Sequence, residues 1–205
     1  MFRGDILKKA ILYIHGKGGS FLEAQRYKKI CIGFDVIGVD YEQYLPWIVQ
    51  NQIKTVYDDL KKEYEHISII ANSIGAYFAM HTLQNCNIEK ALLISPILDM
   101  ERLILDMMQW ANVTEKELWE KKEILTDFGE TLSWEYLKFV RENPIKWDIP
   151  TEILYAGQDN LTSHKTVDAF MESHNANLTV MENGEHWFHT EEQVTFLDKW
   201  IKNVI

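Results

Sequence analysis

Short apolar runs alternate with segments of helical periodicity along most of this chain, and this alternation is what most constrains its fold. Residues 9–14 are apolar after the first lysine, which is typical of a strand covered on both faces in a parallel sheet. Six strands are predicted on this basis: 9–14, 35–39, 67–70, 91–95, 151–156 and 177–181. Strands that alternate with helices favour right-handed crossovers. We therefore predict an α/β fold, a doubly wound parallel sheet of about six strands with helices on both faces.

Capping residues and apolar spacing mark the helices between these strands. Residues 20–23 (S-F-L-E) have the form of a capping box, which predicts a helix from there to about residue 30. A second helix is predicted after Pro46, and a third over about 163–172. Residues 190–193 (T-E-E-Q) form another capping box and predict a last helix.

The alternation is interrupted once, between about residues 97 and 150. This segment has helical periodicity, contains a capping box at residues 114–117 and has no run typical of a strand. We therefore predict one domain over residues 1–205, with a helical cap inserted at about 97–150. Most of the large apolar side chains in the insertion are expected to pack in a core between cap and sheet.

The charge balance limits which partners the protein can have. The chain has 205 residues, enough for one full hydrophobic core. Its 31 acidic and 21 basic residues give a net charge of −10, which repels nucleic acid and anionic lipid headgroups. No apolar run approaches the roughly 18 residues that span a bilayer, and the first residues lack the apolar region of a secretion signal. We expect a cytoplasmic protein that binds neither nucleic acid nor membranes.

The pattern of cysteines, histidines and glycines argues against a metal or nucleotide cofactor. Cys31 and Cys86 form no Cys-x-x-Cys pair, which predicts free buried thiols. His186 and His189 lack cysteine or carboxylate partners at a familiar metal-binding spacing. The loop at residues 16–21 lacks the third glycine of a dinucleotide fingerprint, and its lysine precedes the glycine pair that it would follow in a P-loop. We expect no metal and no cofactor.

Residues 71–75 (A-N-S-I-G) follow the third predicted strand and lead into a helix. A serine at such a turn has its hydroxyl pushed clear of the sheet, provided that the residues two before and two after it are small. Ala71 and Gly75 meet that requirement, although the usual Gly-x-Ser-x-Gly pattern has glycine where Ala71 stands. Short serine motifs recur by chance, so Ser73 could also be an ordinary turn residue.

A nucleophilic role for Ser73 requires a neighbouring base, because a serine hydroxyl attacks well only when something takes its proton. His186 lies in the loop after the sixth predicted strand and is the best candidate for the base. Asp159 lies in the loop after the fifth and is placed to fix the tautomer of the imidazole. Since ligand sites in such sheets form at the carboxyl ends of the strands, we expect these three residues at one edge.

Alternatives remain open for the acid and for the base. Asp159 could instead cap the helix that follows it, since aspartate is a preferred capping residue. Asp127 or Asp148 would then have to supply the carboxylate. His189 competes with His186 for the role of base, although its position just before a capping threonine favours a surface or pocket-rim location.

The order of these elements resembles the α/β-hydrolase superfamily, and the resemblance covers nearly the whole chain. Ser73, Asp159 and His186 follow successive strands in that order, and His15 and Gly16 precede a glycine pair after the first strand. The resemblance implies that Ser73 is the nucleophile, His186 the general base and then the general acid, and Asp159 the orienting acid. By this resemblance we expect the chain to start at what is usually the third strand, without the common opening hairpin.

The resemblance also implies an oxyanion hole made of two backbone N–H groups. By that match the donors are Ile74, directly after the nucleophile, and Lys17 in the loop after the first strand, with Gly18 as the second choice for the latter. His15 is expected to support this loop by hydrogen bonding.

The function implied by the resemblance is that of a serine hydrolase acting on a small-molecule acyl substrate. It would cleave a small or medium carboxylic ester or thioester through an acyl-enzyme on Ser73, and some cap residues would line an apolar pocket above the serine. The alternative is an acyltransferase or a non-catalytic ligand-binding protein on the same fold, because a fold does not determine function.

Overall fold

The structure is a computed structural model that describes residues 8–205. The strands of this part of the chain are β1 (Lys9–Ile14), β2 (Asp35–Gly38), β3 (His66–Asn72), β4 (Ala91–Ile94), β5 (Glu123–Leu125), β6 (Thr131–Ser133), β7 (Thr151–Ala156) and β8 (Ala176–Met181). Its α-helices are α1 (Ala24–Ile30), α2 (Pro46–Glu63), α3 (Ile74–Leu83), α4 (Met100–Trp110), α5 (Glu115–Lys121), α6 (Trp134–Glu142), α7 (His164–Ser173) and α8 (Glu191–Val204). A 3₁₀ turn, Phe21–Glu23, precedes α1.

Six strands form one sheet in the order β2-β1-β3-β4-β7-β8. Every neighbouring pair is parallel, which confirms the predicted sheet. The register pairs Ile14 with Ala71 and Asn72 with Ile94. The last residues of β1, β3 and β4 therefore lie side by side at the carboxyl edge of the sheet.

Helices cover both faces of this sheet, as the apolar strands require. Ile11 and Tyr13 of β1 belong to a buried cluster that also contains Leu197 of α8. Leu12 lies between them and points to the opposite face, because side chains alternate along a strand. Leu12 is fully buried as well, and α2 and α3 contact β1. No helix within residues 8–205 has the length and apolar character needed to cross a bilayer.

The described part of the chain divides into two compact units, one comprising residues 8–98 with Trp147–Ile205 and the other Asp99–Lys146. The second unit contains α4, α5 and α6. Its first and last residues are close to those of the predicted insertion, about 97–150. Within it, the guanidinium of Arg141 on α6 donates to Glu101 of α4 at 2.6 Å and to Glu115 of α5 at 2.8 Å. These ion pairs connect the three helices of this unit.

The prediction that the insertion contains no strand is wrong, because β5 and β6 form an antiparallel hairpin. The Thr126 hydroxyl donates to the Glu130 carbonyl at 2.8 Å, and the Glu130 amide donates back to that hydroxyl at 3.1 Å. Gly129 has a φ of 86°, which favours glycine. Each strand has only three residues, so its alternation is too short to be recognised by hydrophobic periodicity.

Gly75 allows α3 to approach the end of β1. A Cβ atom at this position would lie 2.4 Å from the His15 carbonyl oxygen and 2.6 Å from that of Ile14. We expect Gly75→Ala to lower the free energy of unfolding by roughly 2–4 kcal/mol, because the obstructing atoms are backbone and cannot give way locally. Thermal denaturation followed by circular dichroism would measure this loss.

Gly129→Ala is the matched control for this substitution. Gly129 has a positive φ, but apart from its own residue and its two chain neighbours no atom lies within 4 Å of the Cβ that alanine would add. The control should lose only about 1 kcal/mol, the cost of placing an L-residue in this conformation. Equal losses for the two variants would contradict the assigned role of Gly75.

Candidate active site

Ser73 occupies the sharp turn between β3 and α3. Its backbone has a φ of 51° and a ψ of −122°, a conformation that is costly for a residue with a side chain and that persists only when its surroundings impose it. The Ser73 amide donates to the Ile94 carbonyl at 3.0 Å, and the Ser73 carbonyl accepts from the amides of Ala76 and Ile97. Hydrogen bonds on both sides of the residue therefore hold the strained turn.

Small residues bring the loop after β1 against this turn. A Cβ atom on Gly16 would lie 3.1 Å from the Ser73 Cβ and 3.3 Å from the Asn72 carbonyl oxygen. Ala71 is fully buried and pairs with the last residue of β1. Gly16 therefore allows the loop after β1 to contact the turn, as Gly75, one of the two residues that sequence analysis required to be small, does for α3.

The structure brings Ser73, His186 and Asp159 together. The Ser73 Oγ lies 2.8 Å from the His186 Nε2, and the His186 Nδ1 lies 2.7 Å from the Asp159 Oδ2. The Asp159 side chain is completely buried, and the imidazole is 17% exposed. A proton on Nδ1 is donated to the carboxylate, which leaves Nε2 as the acceptor for the serine hydroxyl. This arrangement can withdraw the proton of Ser73.

The second carboxylate oxygen of Asp159 is also hydrogen-bonded. Its Oδ1 accepts from the amides of Leu161 at 2.8 Å and Thr162 at 3.1 Å. These bonds compensate for the burial of a charged group, which would otherwise be costly. The cap of α7 is Ser163, whose Oγ accepts from the Thr166 amide, so Asp159 does not serve as the helix cap.

The alternative acids and the alternative base lie elsewhere. Asp148 is exposed and precedes β7, at the edge of the sheet opposite to Ser73. Asp127 lies in the turn of the β5–β6 hairpin, in the second unit. His189 is exposed, and its Nδ1 lies 3.3 Å from a carboxylate oxygen of Glu185. Of the two histidines considered as the base, His186 is the one that contacts Ser73.

The two predicted oxyanion donors occupy different segments. Ile74 is the first residue of α3, a position whose amide has no acceptor within the helix. In the loop after β1, the Gly18 amide donates to the Tyr44 hydroxyl at 3.0 Å and the Gly19 amide donates to the Gly16 carbonyl at 3.1 Å. The amide of Gly18, the second choice for this role, is thus already engaged, and Lys17 stays the predicted donor.

His15 and Tyr41 stabilise the loop that contains Lys17. The His15 ring is buried and stacks on Tyr41 with ring centres 4.0 Å apart, while its Nδ1 lies 2.8 Å from the Gly16 carbonyl oxygen. The Tyr41 hydroxyl donates to the His15 carbonyl. Burial raises the pKa of Tyr41 far above its usual value, so the phenol keeps the proton that it donates.

Tyr41 and Tyr44 were not singled out by sequence analysis. Both follow β2 and therefore lie at the carboxyl edge of the sheet. Their position after a predicted strand could have identified them as candidates from the sequence, because residues after neighbouring parallel strands converge at this edge.

Asn72 connects the turn to β1 and α1 and was also missed. Its Nδ2 donates to the Tyr13 hydroxyl at 3.1 Å and to the Tyr27 hydroxyl at 3.4 Å. The Tyr13 hydroxyl in turn donates to the Glu23 carboxylate. Burial raises the pKa of Tyr27 to about 12, so this phenol also stays protonated. The residue before Ser73 is thereby fixed by side chains from two other elements.

The histidine, cysteine and carboxylate side chains of the described residues form no metal site. Within the described residues, no group of three or more His, Cys, Asp or Glu side chains could hold a metal ion. Cys31 and Cys86 are free, Cys31 being buried and Cys86 partly so. Burial raises the pKa of the Cys31 thiol to about 11, which disfavours the reactive thiolate.

Comparison of the sequence with known families gives one match over most of its length. The profile of a family described as "Uncharacterised protein family (UPF0227)" matches residues 10–196. A search of curated protein sequences gives no significant match.

Solved structures of α/β hydrolases share the fold. Mouse alpha/beta hydrolase domain-containing protein 10 superposes with a TM-score of 0.75 at 15% identity, over 95% of this chain and 88% of that one. The Pyrococcus furiosus esterase PF2001 superposes with a TM-score of 0.63 at 17% identity, over 96% and 81%. Bacillus megaterium epoxide hydrolase, solved with an inhibitor, superposes with a TM-score of 0.63 at 15% identity, over 95% and 93%. At these identities the likeness shows the α/β-hydrolase fold.

Proposed function

We propose that this chain, which belongs to the UPF0227 family of the α/β-hydrolase superfamily, is a serine hydrolase that cleaves a small or medium carboxylic ester or thioester. The observation that carries the proposal is the continuous set of contacts from Ser73 through His186 to Asp159, at 2.8 and 2.7 Å. Ester or thioester cleavage fits this arrangement, because a serine hydroxyl paired with a histidine forms an acyl-enzyme.

In the first half of this mechanism, Ser73 attacks the carbonyl carbon of the substrate. His186 takes the hydroxyl proton at Nε2 as the bond to carbon forms, and the buried carboxylate of Asp159 stabilises the resulting imidazolium. His186 then gives the proton to the departing alcohol or thiol. The acyl group remains bonded to the Ser73 oxygen.

In the second half, water takes the place of the serine hydroxyl. His186 removes a proton from the water as it attacks the acyl carbon, and returns that proton to Ser73 as the carboxylic acid leaves. An alcohol in place of water would give acyl transfer with the same residues.

Two backbone N–H groups would stabilise the negative oxygen of each tetrahedral intermediate. We assign these roles to Ile74 and Lys17, and one such donor contributes roughly 3–4 kcal/mol to catalysis. The Gly18 amide bond to Tyr44 and the stacking of His15 on Tyr41 support this assignment, because they restrain the loop on both sides of Lys17. Restrained donors need no reorganisation during the reaction.

A fluorophosphonate probe tests whether Ser73 is an activated nucleophile. We expect the wild-type protein to be labelled on the peptide that contains Ser73, as located by mass spectrometry, because the probe phosphonylates serines that have a neighbouring base. Ser68 is a buried serine of β3, the strand that precedes Ser73, and the Ser68→Ala control should keep the label. A wild-type protein that stays unlabelled would contradict the proposed function.

A series of p-nitrophenyl esters with increasing acyl length tests the proposed substrate class. We expect the highest kcat/KM for a short or medium acyl chain, measured by release of p-nitrophenol. Adding a simple alcohol separates hydrolysis from acyl transfer, since a transferase would yield the new ester in place of the free acid. Activity confined to long acyl chains would contradict the proposed substrate size.

A further inference from the structure

The last residue of β4 and the segment that follows it bond to both main-chain polar groups of Ser73. The Ser73 amide donates to the Ile94 carbonyl at 3.0 Å, and the Ile97 amide donates to the Ser73 carbonyl at 3.1 Å. Between these two residues, the buried Ser95 has a φ of 41°. Residues 94–97 therefore hold the position of the Ser73 backbone.

All three polar groups of Thr162 form hydrogen bonds, each with a different residue. Its amide donates to the Asp159 Oδ1 at 3.1 Å, and its hydroxyl donates to the Pro96 carbonyl at 2.9 Å. Its carbonyl accepts from the Tyr155 hydroxyl at 2.8 Å. Thr162 is only 4% exposed, so water has little access to the groups that form these hydrogen bonds.

These bonds connect the acid to the nucleophile by a route that does not include the histidine. From Asp159 the route passes to Thr162, then through its hydroxyl to Pro96, and from the following residue to the Ser73 carbonyl. His186 must contact Ser73 and Asp159 at the same time. The separation between the two therefore decides whether both contacts can form, and misplacements of this kind lower catalytic rates strongly.

We propose that Thr162 is a positioning residue for the reaction at Ser73. Its hydroxyl holds the turn that contains Asp159 at a fixed distance from the nucleophile, so that one imidazole can bridge them. The inference rests on the proposed function and assigns to Thr162 no contact with the substrate.

Replacing Thr162 by valine tests this role, because valine has nearly the same shape and carries a methyl group in place of the hydroxyl. We expect Thr162→Val to lower kcat roughly tenfold with little change in KM, since the acid is displaced but the substrate contacts remain. Thr162→Ser keeps a hydroxyl and should restore most of the wild-type kcat. A kcat for Thr162→Val equal to that of the wild type would overturn the inference.

A double-mutant cycle with Asp159→Asn separates positioning from a general structural effect. If Thr162 acts through the carboxylate, Thr162→Val should have little further effect on the residual phosphonylation rate of the Asp159→Asn variant. Independent effects would instead multiply, and multiplication would overturn the inference. Tyr155→Phe, which removes the bond to the Thr162 carbonyl, should lower kcat in the same Asp159-dependent way, and it replaces Thr162→Val if that variant does not fold.

Thr151→Val is the matched control. Thr151 is 3% exposed, and its hydroxyl donates to the Ile149 carbonyl at 2.7 Å, at the opposite end of the strand that precedes Asp159. It should lower the thermal midpoint and leave kcat unchanged. An equal loss of kcat in the two valine variants would overturn the inference. A wild type that neither cleaves esters nor reacts with the probe would overturn the proposed function itself, and with it this inference.

Discussion

Ser73→Ala is expected to lower kcat on the best ester by roughly 10⁴- to 10⁶-fold, because the substitution removes the atom that forms the acyl-enzyme. The remaining activity would come from the oxyanion donors and from substrate binding, which the substitution leaves in place. KM should therefore change little. Steady-state kinetics with a p-nitrophenyl ester would measure both constants, and labelling by the fluorophosphonate should disappear in the variant.

The stability of the Ser73→Ala variant shows whether the loss concerns chemistry or folding. Alanine takes on the same backbone strain at a φ of 51°, and the main-chain bonds to Ile94 and Ile97 do not involve the hydroxyl. The thermal midpoint should therefore stay close to that of the wild type. Activity near the wild-type level in a folded Ser73→Ala variant would refute the assignment of the nucleophile.

The sheet and the proximity of Ser73, Asp159 and His186 could be predicted because both depend on local patterns and a general rule. Runs such as 9–14 and 151–156 predict strands that are buried on both faces, and the structure has strands with these bounds. Parallel strands present the residues that follow them at one edge. Three residues distant in sequence could therefore be expected at one place before any contact was known.

Other features depend on contacts that no local pattern reports. Thr162 donates to the carbonyl of Pro96, which lies 66 residues earlier in the chain, and a threonine before a helix gives no sign of such a partner. Tyr44 follows β2 as one of several aromatic residues, and only the loop conformation brings its hydroxyl to Gly18. Sequence patterns thus predicted the groups proposed to react, while the contacts that Thr162 and Tyr44 make around them required the structure.

Replacing His186 by alanine is the second substitution with a very large expected effect. Without an acceptor at 2.8 Å from the Ser73 Oγ, the hydroxyl keeps its proton and kcat should fall by roughly 10⁴- to 10⁶-fold. Residues that act as a unit have effects that do not multiply, so the Ser73→Ala, His186→Ala double variant should be no slower than either single variant. The kcat values of the three variants on one ester would show this.

His189→Ala is the control that separates the two histidines. Its imidazole is exposed and lies near Glu185, so its removal should leave kcat close to the wild-type value and cost little stability, as contacts between exposed polar side chains contribute little. If His189→Ala abolishes turnover while His186→Ala retains it, His186 is not the base. The contact between Ser73 and His186 would then be structural, and the proposed mechanism would lose its proton acceptor.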